Sequence, residues 1–347
     1  MIKKYKRRRA FVLISAALAI ALLLGYLNRG AIRNAWDVVS GADYSGSGTG
    51  SVTLVIRDGD DGATIAEELV SLGVVKSYRS VYKLLISKDQ IFYPGTYQLK
   101  RQMSSAAALS AIADPSNRIS NRVTIKEGWR ITKVLKELSL KTGVSLSDLT
   151  SVAQNPTEIG VPATEVSAEG WLFPATYEFE PDATAKEILS SMVQRMKKEL
   201  ERFAVPSSKA HQILTLAALI QAEARLEPDF YKVSRVFLNR IEAGMHLQSD
   251  ATVSYGVNGK TVSTSAADRA NPNRYNTYLY PGLPVGPISA PGSVAIDAAL
   301  HPAVGKWLFF CTVNLKTGET VFSNTYAEHG EAVKKWRLWM QENPGYE

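Results

Sequence analysis

One cysteine in 347 residues, Cys311, excludes an internal disulfide, so a folded chain of this length is held by its core alone. Cys311 sits in the apolar run WLFFCTV and reads as a small buried hydrophobe. Histidine is scarce too: His211, His246, His301 and His329 share no spacing that zinc would recognise, and no metal or cofactor is expected. The chain has no G-x-S-x-G, no P-loop, no dinucleotide fingerprint and no H-E-x-x-H. A basic field is also missing, despite a net charge of +7. Six of the 40 basic residues fall within the first nine positions, leaving 34 against 33 acidic ones. That balance excludes a nucleic-acid partner.

After the basic tail (1–9) comes an uncharged run of eighteen residues, AFVLISAALAIALLLGYL (10–27). It is just long enough for a spanning helix, and the positive-inside rule places residues 1–9 in the cytoplasm and exports the rest. A cleavable signal peptide is the rival reading, but no small-x-small site follows Leu27. Residues 28–50 end in GADYSGSGTGS, a flexible linker. SVTLVIR (51–57) alternates as a strand, 64–75 and 79–86 have helical spacing, and YPGTYQLK (93–100) is a turn and a strand. This βααβ order is similar to that of small LysM-type modules, and a LysM-like module is expected over 51–118. VTIKEGWRITKVLKEL (123–138) echoes LVIRDGDDGATIAEEL, which reads as the common grammar of strand-loop-helix units rather than a repeat.

The region 119–345 predicts helices over 184–203, 208–225, 229–243 and 326–342, and a β pair in KWLFFCTV and GETVFSN. The Asn-, Pro-, Gly- and Tyr-rich stretch 256–293 is a candidate binding wall. Helices mixed with antiparallel strands make the fold class α+β. On helix 208–225, Glu223 follows Leu216, Leu219 and Ile220 at i−7, i−4 and i−3, on the apolar stripe. Desolvation would keep such a carboxyl protonated near neutral pH, as a general acid for glycosidic cleavage requires. Two structural readings stay open: the side chain escapes the stripe at the helix end, or it pairs with Arg225, Arg235 or Arg240. Downstream, amides, hydroxyls and aromatic rings recur together around Asn239 and Arg240, Gln248 and Asp250, Asn276 and Tyr278, and Asn324 and His329. Such mixtures suit the hydroxyls and flat C–H faces of sugars.

The segments YPGTYQL, IKEGWRI, EGWLFPATY, LAALIQAEA, VSRVFLNRIEAGMHLQSDATVSYG, YNTYLYPGLPVGPISAPG and FSNTYAEH occur in this order. On them the chain resembles the YceG-like, or MltG-family, endolytic murein transglycosylases from about residue 50 to 345. The resemblance implies an N-terminal membrane helix, a LysM-like module and a catalytic domain. It also implies a bacterial cell-membrane location with the catalytic domain outside the cytoplasm. Peptidoglycan glycan strands would be the substrate, and membrane peptidoglycan synthases would be partners. Glu223 matches the second acid of the family's E-x-E signature and would be the catalytic acid/base, with Gln221 standing where the first acid is common. Gln248, Asp250, Asn276 and Tyr278 match motif positions and are candidate substrate-binding residues.

The implied reaction cuts the MurNAc-β-1,4-GlcNAc bond within a strand and leaves a 1,6-anhydro end. One rival is a hydrolase of the same bond that uses Glu223 with Asp250 as nucleophile or base. The other is a non-enzymatic wall-binding scaffold.

Overall fold

The computed structural model describes residues 41–87, 92–259 and 264–345. The tail (1–9) and apolar span (10–27) expected from the sequence lie outside the described residues, and no described helix is long and apolar enough to cross a membrane. Contacts divide the chain after Ser120 into two compact units.

In the first unit, strand β1 (Ser47–Ile56) leads to helices α1 (Gly62–Ser71) and α2 (Tyr78–Ser87), then to β2 (Gly95–Met103). Leu54 and Ile56, two residues apart, fall on one face of β1 and enter the core beside Ile65, Leu69, Val81 and Leu99. The strands pair antiparallel from Ser47↔Met103 to Ile56↔Gly95, with a bulge between Thr49 and Val52. β1 therefore starts inside the Gly/Ser stretch, because pairing with the far half of β2 draws Ser47 to Gly50 into the sheet. Asp61 caps α1 by accepting the Thr64 N–H at 2.8 Å. A further helix, α3 (Ser105–Ala113), packs on β2, and β3 (Arg118–Ile119) extends the sheet in the order β1-β2-β3.

The second unit begins with β4 (Asn121–Thr124), followed by α4 (Ile131–Thr142) and α5 (Leu146–Ala153); β5 (Thr176–Phe179) returns to pair antiparallel with β4. Gly170 has φ +79°, and a Cβ there would lie 2.4 Å from Pro287, so only glycine permits the close approach beside the buried Trp171. Helix α6 (Ala185–Arg202) opens with a capping box between Thr184 and Glu187. Helix α7 (Ser207–Glu223) is the centre of the unit: every residue from Leu214 to Ile220 is buried. The single apolar stripe expected for it widens to the whole circumference, the pattern of an enclosed helix.

Helix α8 (Glu227–Glu242) packs on α7, and the short α9 (Asp250–Gly256) and α10 (Ala266–Arg269) break up the stretch expected to be irregular. Helix α11 (Ser293–Leu300) packs on α7 and α8. The hairpin β6 (Phe309–Asn314) and β7 (Glu319–Ser323) is covered by α12 (Tyr326–Glu342), which the Thr325–Glu328 capping box starts. Cys311 on β6 lies opposite Val321 and is half-buried rather than enclosed, and burial pushes its thiol pKa up. The described chain is a mixed α+β structure in which all strand pairs are antiparallel.

Candidate active site

Helix α7 ends at Glu223, and the carboxylate emerges into a cavity of about 410 Å³. The turn that covers it comes from residues 247–250. Gln248 adopts φ +51°, a left-handed conformation uncommon outside glycine. Its N–H donates to the Thr277 carbonyl at 3.1 Å, and the next N–H, of Ser249, donates to Thr277 Oγ1 at 3.0 Å. Thr252 joins the same cluster at 2.9 Å from Thr277 Oγ1. These bonds aim the Ser249 hydroxyl, which donates to Glu223 Oε1 at 2.5 Å. Sequence reasoning missed Ser249, since a serine between Gln248 and Asp250 carries no periodicity or composition signal.

Removal from water raises the Glu223 pKa, and the nearby Asp250 charge raises it further. The Ser249 hydrogen bond and the Arg240 guanidinium oppose this without reversing it. No ion pair within 4 Å joins Glu223 to any of the three arginines considered from sequence. Arg225 donates to the Leu315 carbonyl, Arg235 to Ala303 at 2.7 Å and Arg240 to Leu308 at 2.6 Å. Arg240 also donates to the Leu247 carbonyl at 2.8 Å, which ties the covering turn to α8.

Of the other sequence-predicted residues, Gln248, Asp250 and Tyr278 line the same cavity as Glu223. Asp250 Oδ1 accepts from the Tyr278 hydroxyl at 3.0 Å and from Thr264 at 2.5 Å, and stands 3.9 Å from Arg269. Burial first, then the bond to Asp250, pushes the Tyr278 pKa up to about 12, so its hydroxyl stays a donor. Asn276 does not reach the cavity. It is fully buried, its amide donates to the carbonyls of Arg269 and Asn271 at 2.9 and 2.8 Å, and its oxygen accepts the Tyr278 N–H at 3.0 Å. It braces the loop that presents Tyr278.

The far wall is aromatic. His329 stacks on Phe309 at 5.3 Å, Tyr326 meets Phe309 edge-on at 5.9 Å, and the Arg240 guanidinium lies 5.2 Å from the Phe309 ring centre. Burial, with help from Arg240, lowers the His329 pKa below its ordinary value, so the ring is neutral at pH 7. A single acid faces a neutral aromatic shelf across a cavity with hydroxyl, amide and carboxylate edges. That arrangement can protonate a bond beside a flat polyol.

A second cavity, of about 590 Å³, shares Ala251 with the first and takes Gln221 and Ala222 from the last turn of α7. Gln221 Oε1 accepts the Gly292 N–H at 3.0 Å. Glu169, only 3 % exposed, is another carboxylate that sequence reasoning did not single out; it lines a third cavity. It caps α4 by accepting the Ile131 N–H at 3.0 Å and also accepts the Tyr255 hydroxyl at 3.1 Å. Burial pushes its pKa up to about 7 against the pull of those donors. This third cavity, of about 890 Å³, shares no lining residue with that of Glu223. It surrounds the Glu165–His211 pair, 2.8 Å apart.

Comparison with known proteins supplies independent findings. A Bacillus subtilis (strain 168) protein named endolytic murein transglycosylase is 30% identical over 307 residues, 82% of this chain and 85% of that protein. A protein of the same name from Streptococcus pneumoniae serotype 2 (strain D39 / NCTC 7466) is 26% identical over 322 residues, 81% of this chain and 58% of its own length. The crystal structure of a YceG-like protein from Listeria monocytogenes superposes with a TM-score of 0.55 at 25% identity, covering 81% of this chain and 99% of that one. The model of the YceG-like family matches residues 54–335, and on that extent the chain belongs to the YceG-like family.

Proposed function

We propose that this chain is an endolytic murein transglycosylase, with Glu223 as its acid and base. The observation that carries the reading is the Glu223 carboxyl itself: half-buried, raised in pKa by desolvation, and aimed by Ser249 into a cavity with an aromatic wall. In its protonated form Glu223 donates to the glycosidic oxygen between N-acetylmuramic acid and N-acetylglucosamine as the bond breaks through an oxocarbenium-like state. The resulting carboxylate then takes the proton of the muramoyl 6-hydroxyl, whose oxygen closes on C1 to give a 1,6-anhydro ring. The proton lost in the first half is regained in the second, and no water is consumed. Tyr278 and Gln248 offer neutral dipoles to the sugar hydroxyls, and the Phe309–His329 shelf offers a flat face to its C–H bonds.

A hydrolase would need Asp250 free to act as nucleophile or base. Its Oδ1 is instead engaged by Tyr278 and Thr264 and faces Arg269, which suits a fixed charge beside the acid better than a reacting atom. Asp250 is thus a positioning residue in this reading, and Asn276 acts only through the loop it braces.

In the same reading, residues 10–27 anchor the chain in the bacterial cell membrane with residues 1–9 in the cytoplasm. The first unit, with its β1-α1-α2-β2 order, serves as a LysM-like glycan-binding module, and residues 119–345 form the catalytic domain. Such an enzyme meets nascent strands beside the membrane peptidoglycan synthases.

The test is a digest of purified peptidoglycan by the wild-type chain and by Glu223→Gln, read by mass spectrometry. Ends that lack one water and resist borohydride are expected from wild type. The rate is expected to fall by a factor of about 10³ in the variant. Reducible ends would replace the transglycosylase with the hydrolase. No cleavage by a folded wild-type chain would favour the wall-binding scaffold.

A further inference from the structure

The second cavity has a chemical character unlike that of the first. Among the described residues, the charged members of its lining are two cations, Arg130 and Lys133, with no carboxylate. The acid's cavity holds Glu223 and Asp250. Arg130 is committed: its guanidinium donates to the Gly259 carbonyl at 2.9 Å and to Ser254 Oγ at 3.2 Å, and it feels the buried Glu169. Lys133 is exposed and makes no ion pair within 4 Å among the described residues. Its Nζ lies 4.3 Å from the centre of the Trp129 ring, a cation–π contact that leaves its N–H donors free. Glu127 lies against Gly292 and is outside the lining.

Trp129 packs against the hydrophobic core of the second unit, and its backbone is pinned by its neighbours. Its carbonyl accepts the Ala290 N–H at 2.8 Å, and the Gly128 N–H donates to the Ala290 carbonyl at 2.8 Å. Gly128 makes this turn at φ +73°. The ring, partly buried against that core, offers a flat surface with the Lys133 cation over it, in a cavity that meets the acid's at Ala251.

We infer that this cavity, with Trp129 as its floor and Lys133 at its edge, binds the carboxylate-bearing substituent of a muramyl residue on the strand held by the acid. The inference rests on the proposed reaction for the identity of that strand. A glycan strand long enough to be cut internally extends past the scissile bond, and its muramyl residues carry carboxylates either on the stem peptide or on the lactyl group. Trp129 receives the apolar face of the sugar or substituent, and the Lys133 ammonium receives the carboxylate.

The experiment uses the full chain carrying Glu223→Gln, titrated with four soluble preparations: peptide-bearing strands, peptide-free strands that keep the lactyl carboxylate, and each of these with its carboxylates converted to amides. Amidation is expected to weaken binding about tenfold, the worth of one charge-assisted contact. Lys133→Glu in the same background is expected to abolish that difference. Lys141→Glu, a charge reversal on the same helix outside every cavity described, is expected to preserve it. Tighter binding of peptide-bearing than of peptide-free strands assigns the carboxylate to the stem, and equal or weaker binding assigns it to the lactyl group. Equal affinity for the native and amidated forms of both kinds of strand, no binding of any, or a difference that survives Lys133→Glu overturns the inference. Binding is read without cleavage, so a wild-type chain that cuts no strand would sink the proposed reaction and leave this result standing.

Discussion

Replacing Glu169 with glutamine should change how stability responds to pH while leaving the fold in place. The carboxylate is buried and titrates at about 7, against 4.5 for an unperturbed glutamate. The folded chain thus binds a proton that the unfolded chain has already lost, and stability falls as pH rises from about 4.5 toward 7. At roughly 1.4 kcal/mol for each tenfold change in proton affinity, the loss is about 3 kcal/mol between pH 4.5 and 8. In Glu169→Gln the amide oxygen can still accept from Ile131 and Tyr255, and nothing titrates. The assay is urea unfolding at a series of pH values, followed by tryptophan fluorescence. Five of the six tryptophans lie after Ser120, so the signal reports on the unit that contains Glu169. The stability of wild type minus that of the variant should fall by about 3 kcal/mol across this range. A difference that stays flat, or that rises with pH, would refute the account of Glu169 as a buried carboxyl protonated in the fold.

The two neighbours that act on Glu223 pull in opposite directions, and this gives paired tests. Ser249→Ala removes a hydrogen bond that favours the charged carboxylate, so the basic limb of the kcat profile should move to higher pH, with the maximal rate down about tenfold from lost aim. Asp250→Asn removes a repelling charge, so the basic limb should move to lower pH. Shifts of the same sign in the two variants, read from initial cleavage rates on glycan strands, would rule out this electrostatic arrangement.

Long helical segments were legible in the sequence. The helix expected at 326–342 is Tyr326–Glu342, and that expected at 184–203 is Ala185–Arg202. Helices built from small residues were not legible: Ser105–Ala113 and Ser293–Leu300 are rich in alanine and show almost no amphipathic contrast. Leu146–Ala153 has only eight residues in which to show one. At the site, a glutamate in apolar company was visible, but not for the full reason. Spacing suggested one buried face, whereas α7 is enclosed and Glu223 owes its setting to a turn more than twenty residues away in sequence. Asn276 was drawn into the candidate groove by its aromatic neighbours, and the hydrogen bonds that turn it into a loop brace depend on loop geometry that no periodicity encodes.

The enclosure of α7 governs where this scaffold can change. Any change of volume among residues 214–220 is transmitted to the helices on every side and to the residue that ends the helix. The last turn is freer: Ala222 is exposed, and position 221 asks for an oxygen to accept the Gly292 N–H, which glutamine and glutamate supply equally well. Choice of substrate is therefore open to revision mainly at Gln248, Tyr278 and Tyr326, which line the cavity outside the core, whereas Leu247, Ser249, Asn276 and Thr277 beside them are buried. A directed-evolution library confined to those three positions would vary the cavity wall while Ser249 keeps its hold on Glu223.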